Sequence, residues 1–338
     1  MDIIKAFGKS MLELEYESIQ KSKHWKKFDA RKHLYTIENL ENFRNSKLSE
    51  GLDDSFPPEE QREIYQDLVT ELGERYVLSN LTDKNIGNSL NFFKAGNLFV
   101  DGGQNFHIKW LNDLETFVFS KTKVNYICEI GGGYGSLAQK IRSKVDCTYI
   151  LIDLPEANLL SSYYLSRHFQ DLKFLLCDEI ESKSVSKEDI EEYDFIIIPP
   201  WYEIEENVKI DLFINTRSMM EMNFSVIEKY FNFIQTHITN GGFFFNTNRY
   251  YKDSVGYPIE LSKYPYDGKW QVVSSKPSWR QPHIHQLITQ RLSGNGNIKE
   301  ELTKIGEIGK IFIPKRDNLL KIVWQKFKNS VNQYRYER

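Results

Sequence analysis

Ten residues constrain this chain more than any others: CEIGGGYGSL, positions 128–137, directly after the apolar run VNYI. Glu129, Gly131, Gly133 and Gly135 set the spacing acidic-x-Gly-x-Gly-x-Gly, and the amphipathic SLAQKIRSK follows. A strand, a glycine turn and a helix start together bring backbone close to a nucleotide-like ligand. Glycine adopts left-handed conformations and puts no Cβ in the way.

The texture around this turn predicts an α/β fold. KVNYICEI, CTYILIDL (147–154), LKFLLCD (172–178), YDFIIIPP (193–200) and GGFFFNTN (241–248) read as strands. Helix patterns lie between them, including the long stretch DLFINTRSMMEMNFSVIEKYFNFIQTHI. Strands alternating with helices predict a parallel sheet, and the continuous apolar run at 193–200 suits a strand covered on both faces. WQVVSSK (270–276) and IHQLITQRL (284–292) leave no room for a crossover helix, which makes them an antiparallel pair. Residues 1–120 read as a mainly helical region. PPEEQREIYQDLVTELGERYV opens on Pro57 and Pro58 with acids in its first turns. The expected organisation is 1–120, then 121–295 as the cofactor-binding domain, then 296–338 as a basic extension.

Two cofactors compete for the turn. The dinucleotide fingerprint needs Gly or Ala at 136, where Ser136 stands. An S-adenosylmethionine site wants an acid two before the first glycine, and Glu129 supplies it for the ligand's ammonium. Asp153, 22 residues after Gly131, has the separation expected of an acid that accepts from ribose hydroxyls. Leu154 follows it, and Asp178 ends the next strand as the candidate for the adenine amino group. The competing role for both acids is plain helix capping.

Five parallel strands ending in an antiparallel pair resemble the seven-stranded, Rossmann-like sheet of class I methyltransferases, and Asp153-Leu154-Pro155 resembles the DLP of many O-methyltransferases. NIGNS, DLFINTRSMMEM, GGFFFNTNRY and the late Trp-Arg-Gln-Pro-His resemble the bacterial sugar O-methyltransferase family over roughly residues 80–290. The resemblance implies methyl transfer from S-adenosylmethionine to a sugar hydroxyl in surface-polysaccharide synthesis. The acceptor would be a free sugar, a nucleotide-sugar or a glycan. Two rivals stay open at this point: a nicotinamide-dependent sugar oxidoreductase, and a degenerate methyltransferase kept as a binding subunit.

A sugar hydroxyl is a poor nucleophile, so a base or a metal should help it. Ligands of open α/β sheets sit at the carboxyl ends of the parallel strands, and an antiparallel last strand starts at that edge. His283 and His285 stand there and share a strand face, which makes them the first base candidates. Glu221 is next and His107 last. A His-x-His metal site needs further ligands and none is assigned. Asn215, Arg217, Trp201 and Arg280 are candidate acceptor contacts, with Arg280 placed to take a phosphate or carboxylate. Ile198-Pro199-Pro200-Trp201 is similar to the Asp/Asn-Pro-Pro-Tyr signature of amino-directed methyltransferases. Ile198 replaces its accepting residue, which argues against N-methylation. The Tyr-rich segment 249–269 reads as an acceptor wall or lid.

Net charge is −3, so no global basic field recruits nucleic acid. Cys128, Cys147 and Cys177 lie in or beside apolar runs and read as buried thiols of a reducing compartment. No apolar run approaches the ~20 residues of a membrane span, and the expectation is a cytoplasmic protein. Residues 315–338 hold seven Lys or Arg against two acids, with Leu, Val, Trp and Phe interleaved. They read as a basic amphipathic helix that packs on the body, on a second subunit of a homo-oligomer, or on an anionic membrane face.

Overall fold

The predicted strands assemble into one twisted sheet. A computed structural model describes residues 2–13, 36–45, 56–253 and 255–314. The basic segment 315–338 lies outside the described residues. Eight strands form the sheet: β1 Tyr126–Ile130, β2 Thr148–Ile152, β3 Phe174–Leu176, β4 Phe195–Ile198, β5 Ile210–Thr216, β6 Ile238–Arg249, β7 Trp270–Ser278 and β8 Gln281–Arg291. Their order is β7-β8-β6-β5-β1-β2-β4-β3. The strands from β6 through β3 are mutually parallel, and β8 runs antiparallel to both β6 and β7. This is the expected mostly parallel α/β sheet with an antiparallel last strand, built from eight strands where seven were expected.

One placement differs from the expectation. Residues 210–216, read as the start of a long helix, form β5. Leu212-Phe213-Ile214 is a short apolar run that periodicity alone cannot assign. It becomes a strand because β1 and β6 flank it on both sides. Asp211 also accepts from the N–H groups of Asn125 and Tyr126 at 2.8 and 3.1 Å, which fixes β5 to the start of β1. The helix begins only at Phe224. In the strand order, β4 stands between β2 and β3. All four residues of β4 are buried, whereas β3 has three residues, one of them half-exposed, and takes the edge.

Among the described residues, the longer helices beside the sheet are α1 Ile3–Ser10, α2 Pro58–Leu72, α3 Gly102–Leu114, α4 Ser136–Arg142, α5 Pro155–His168, α6 Phe224–His237 and α7 Ile298–Gly309. Pro58 opens α2 and Gly73, at φ 84°, ends it. The chain leaves β1 in one direction, through α4 to β2, and fills the other side later, through α6 from β5 to β6. Right-handed crossovers therefore put α4 and α6 on opposite faces. Phe231 and Phe233 of α6 pack on Phe244 and Phe213. α3 starts at Gly102, where Asp101 caps it by accepting from Gln104 N–H at 2.8 Å. Phe106, Trp110, Leu111 and Leu114 of α3 join the same core as β1, so the helical region and the sheet share one interior. The three cysteines are free and buried.

Candidate active site

Chain order reverses between β1 and β5, and the crevice beyond their carboxyl ends is where an open sheet offers a ligand site. The glycine turn stands there. Gly131, Gly133 and Gly135 have φ of 77°, 58° and 88°, the left-handed region that a side chain resists. Space decides as well as conformation: a Cβ on Gly131 would collide with the Ser218 side chain. The turn is pinned by Gly131 N–H to the Ile152 carbonyl at 2.8 Å.

Glu129 sits beneath the turn, 1 % exposed, and accepts from the Tyr149 hydroxyl at 2.8 Å. Burial pushes its carboxyl up to about 7, against the Tyr149 hydrogen bond and helped by the charge of Asp153. Asp153 closes the other side of the turn: it accepts from Gly133 N–H at 2.9 Å and Leu154 N–H at 2.7 Å. Burial pushes it to about 7 too, against those two hydrogen bonds, with Glu156 and Glu221 adding to the rise. Leu154 is the N-cap residue of α5. Asp178 follows edge strand β3, and β4 stands between that strand and the strand of Asp153. Asn158 binds the two tips together, donating to the carbonyls of Asp153 and Ile198 at 2.9 and 2.8 Å.

A buried amide network supports the β5 side. Asn215, fully buried, donates to the Ile130 carbonyl at 2.7 Å and to Ser218 Oγ at 2.6 Å. Its own oxygen accepts from Met219 N–H at 3.2 Å and Asn248 Nδ2 at 2.8 Å. Asn248 in turn accepts from Met220 N–H at 3.0 Å. Asn215 thus positions the 219–221 turn rather than contacting an acceptor, which corrects its assignment. Met219 and Met220 are packing residues, as their apolar flanks suggest. The turn presents Glu221, whose carboxylate pairs with Lys252 at 2.5 Å.

The two candidate histidines separate. His285 is 2 % exposed, and both ring nitrogens are taken, by the Tyr250 hydroxyl at 2.7 Å and Ser275 Oγ at 2.8 Å. Burial pushes it down to about 4, so it is a neutral core histidine and no base candidate. It likewise leaves no His-x-His metal pair. His283 is half-buried at the crevice edge. Burial lowers it, and so do the charges of Arg249 and Arg217. Arg280 is elsewhere in its contacts: it lies in the β7–β8 turn and pairs with Asp67 and, at 3.9 Å, Glu63 near α2. This corrects its assignment as an acceptor ligand. Trp201 donates its indole N–H to Glu13 at 2.7 Å, which ties the segment after α1 to the tip of β4. His107 meets Ser136 Oγ at 2.8 Å, at the start of α4. In the Tyr-rich segment, Tyr251–Lys252 pairs with Ile259–Glu260, and Tyr257 accepts from Phe224 N–H at 3.1 Å.

Ser218, Asn248, Arg249 and Lys252 are not evident as site residues from the sequence. A signal existed for Arg249: a charge directly after a parallel strand stands at the ligand edge. Among the described residues, no group of three or more His, Cys, Asp or Glu is placed to hold a metal ion, and no helix is long and apolar enough to cross a membrane.

No family model matches the chain, and no curated protein matches it. Solved structures overlap in part. Mitomycin 7-O-methyltransferase MmcR is 12 % identical over 56 % of this chain and 57 % of its own, with a TM-score of 0.35. TrmN from Thermus thermophilus is 8 % identical over 55 % and 49 %, at 0.37. The N-methyltransferase NodS from Bradyrhizobium japonicum, solved with S-adenosylhomocysteine, is 13 % identical over 56 % and 88 %, at 0.35. The overlap thus spans about half the length of the first two.

Proposed function

We propose that this chain is an S-adenosylmethionine-dependent O-methyltransferase acting on a sugar hydroxyl. The charge at the glycine turn carries the cofactor half of this reading. A dinucleotide pyrophosphate docks on turn N–H groups that have no negative charge beside them. Here Gly133 N–H already donates to Asp153, Glu129 lies beneath, and Glu156 is close enough to raise Asp153. A turn N–H already taken, and acids that a nearby cation would ionise, suit a ligand carrying a sulfonium and an ammonium better than a pyrophosphate. The space a Cβ would fill at Gly131 and the three left-handed glycines fit close approach of that ligand.

Bound there, the cofactor would supply an electrophilic methyl group. The chain's own residues do the rest. Each Asp153 oxygen keeps a lone pair after Gly133 and Leu154 have donated, enough to accept from ribose hydroxyls. The amide network of Asn215 and Asn248 holds the 219–221 turn, and with it Glu221, at the crevice. His283, its imidazole lowered by burial and two arginines, is neutral at pH 7. It would thus take the proton the hydroxyl gives up as the methyl C–S bond breaks and the C–O bond forms. Glu221, Lys252, Arg217, Arg249 and His283 make the acceptor end polar, which suits a hydroxylated ring better than a flat apolar one. The sugar itself is supported by the family resemblance of the sequence, and surface-polysaccharide synthesis by that alone.

Titration of the purified protein with S-adenosylhomocysteine and with NAD(H) tests the cofactor. Binding of S-adenosylhomocysteine is expected, and binding of NAD(H) alone would overturn the reading. Mass spectrometry of glycans from cells with and without the protein tests the acceptor, a missing methyl group being the expected difference.

A further inference from the structure

Arg249 ends β6 and Arg217 directly follows β5. The two strands pair Thr216 with Thr247, so the arginines leave adjacent strand tips. Arg217 N–H donates to the Thr247 carbonyl at 2.7 Å, holding the residue at φ 63°. That conformation is disfavoured for any residue with a Cβ. Glycine would avoid the cost, yet the chain has an arginine. The Nε of Arg249 is enclosed and has no hydrogen-bond partner among the described residues. Burial lowers this guanidinium, and the charged groups that act on it are Arg217, which lowers it further, and Glu221. Glu221 is held by Lys252 at 2.5 Å. His283 feels both arginines from β8. A half-buried guanidinium with an enclosed donor to spare, beside a second positive charge, is costly until an anion completes it.

We infer that Arg217 and Arg249 form the receptor for an anionic group, phosphate or carboxylate, on the sugar acceptor. The substrate is then a sugar phosphate, a nucleotide-sugar or a uronic acid, not a neutral glycoside. The inference rests on the methyl-transfer reading above and names the substrate class of that site. Guanidinium groups grip such oxyanions in a bidentate fork, and an anion anchored there leaves a neighbouring hydroxyl of the same ring within reach of His283.

Calorimetric titrations with glucose 1-phosphate, UDP-glucose, glucuronate and methyl glucoside, with and without S-adenosylhomocysteine, decide it. The charged sugars should bind at least about tenfold tighter than methyl glucoside, and their ranking separates phosphate from carboxylate. Arg249→Met should remove that preference while S-adenosylhomocysteine affinity stays within about twofold, and Arg249→Lys should restore part of it. Equal binding of charged and neutral sugars would overturn the inference. So would an Arg249→Met protein that loses S-adenosylhomocysteine instead, because the anion held would then be the cofactor's own carboxylate. If Arg249→Met fails to fold, the wild-type protein still answers. Binding of the charged sugars should weaken on going from low to high salt, and a salt-independent preference would overturn the proposal. A wild-type protein that binds charged sugars but no S-adenosylhomocysteine would sink the methyl-transfer reading and leave the anion receptor standing.

Discussion

The two ends of the crevice are built on opposite principles. At the β1–β2 end, backbone makes the site: three left-handed glycines, with acids beneath and beside them raised towards neutrality by burial. At the β5–β6–β8 end, long side chains make it, and the balance is basic, with Arg217, Arg249 and Lys252 around one Glu221. A cationic cofactor and an anionic acceptor would be sorted by charge before any shape is read. The difference also teaches where each end is vulnerable. The first fails through sterics, the second through charge.

The largest effect should come from breaking the backbone end. Gly131→Ala puts a Cβ into Ser218 at φ 77° and should weaken S-adenosylhomocysteine binding by about a hundredfold or more while circular dichroism is kept. At the side-chain end, His283→Ala should lower kcat by about a hundredfold or more with S-adenosylhomocysteine affinity unchanged. Two residues along the same strand, His285→Ala should act on stability instead, lowering the melting temperature through its lost bonds to Tyr250 and Ser275. Equal kinetic loss in both variants would erase the distinction between them.

Protonation sharpens the comparison at intermediate size. Glu129 rises from 4.5, and Asp153 from 3.8, to about 7 in the folded protein. Between pH 4 and 7 the native state therefore holds protons that the unfolded chain has released. Stability of the cofactor-free protein should fall as pH rises through that window, by roughly 3 kcal/mol at most for Glu129, and level off above it. S-adenosylmethionine should bind with proton release at pH 6.5, measurable as a buffer-dependent calorimetric heat. A melting temperature that climbs from pH 5 to 8 would contradict this. The smallest effect belongs to Arg280→Ala. Its partners are exposed, and the loss should stay under about 1 kcal/mol by chemical denaturation.

Much of the first end was legible because its information is local. Turn conformation depends on which residues lack a Cβ, and the acid spacing follows from one β-α-β unit, so Glu129, the three glycines and Asp153 could be read in a line. The network that supports the turn could not. Tyr149 under Glu129, and Ser218 against Gly131, are side-chain meetings across strands. Residues 210–216 misled because a short apolar run takes its conformation from its neighbours. His283 and His285 looked equivalent at two-residue spacing. Only the packing of Tyr250, Ser275 and the α7 carboxylate of Glu301 made one of them core.

The sequence by itself determined the glycine turn, the acids that flank it and the alternation that makes a parallel sheet, since these rest on local conformation and periodicity. The tertiary structure alone decided that β4 stands inside β3, that Asn215 and Arg280 serve the framework, and that Arg217 and Arg249 leave adjacent strand tips. Those outcomes depend on strand order and desolvation, which arise only when distant segments pack.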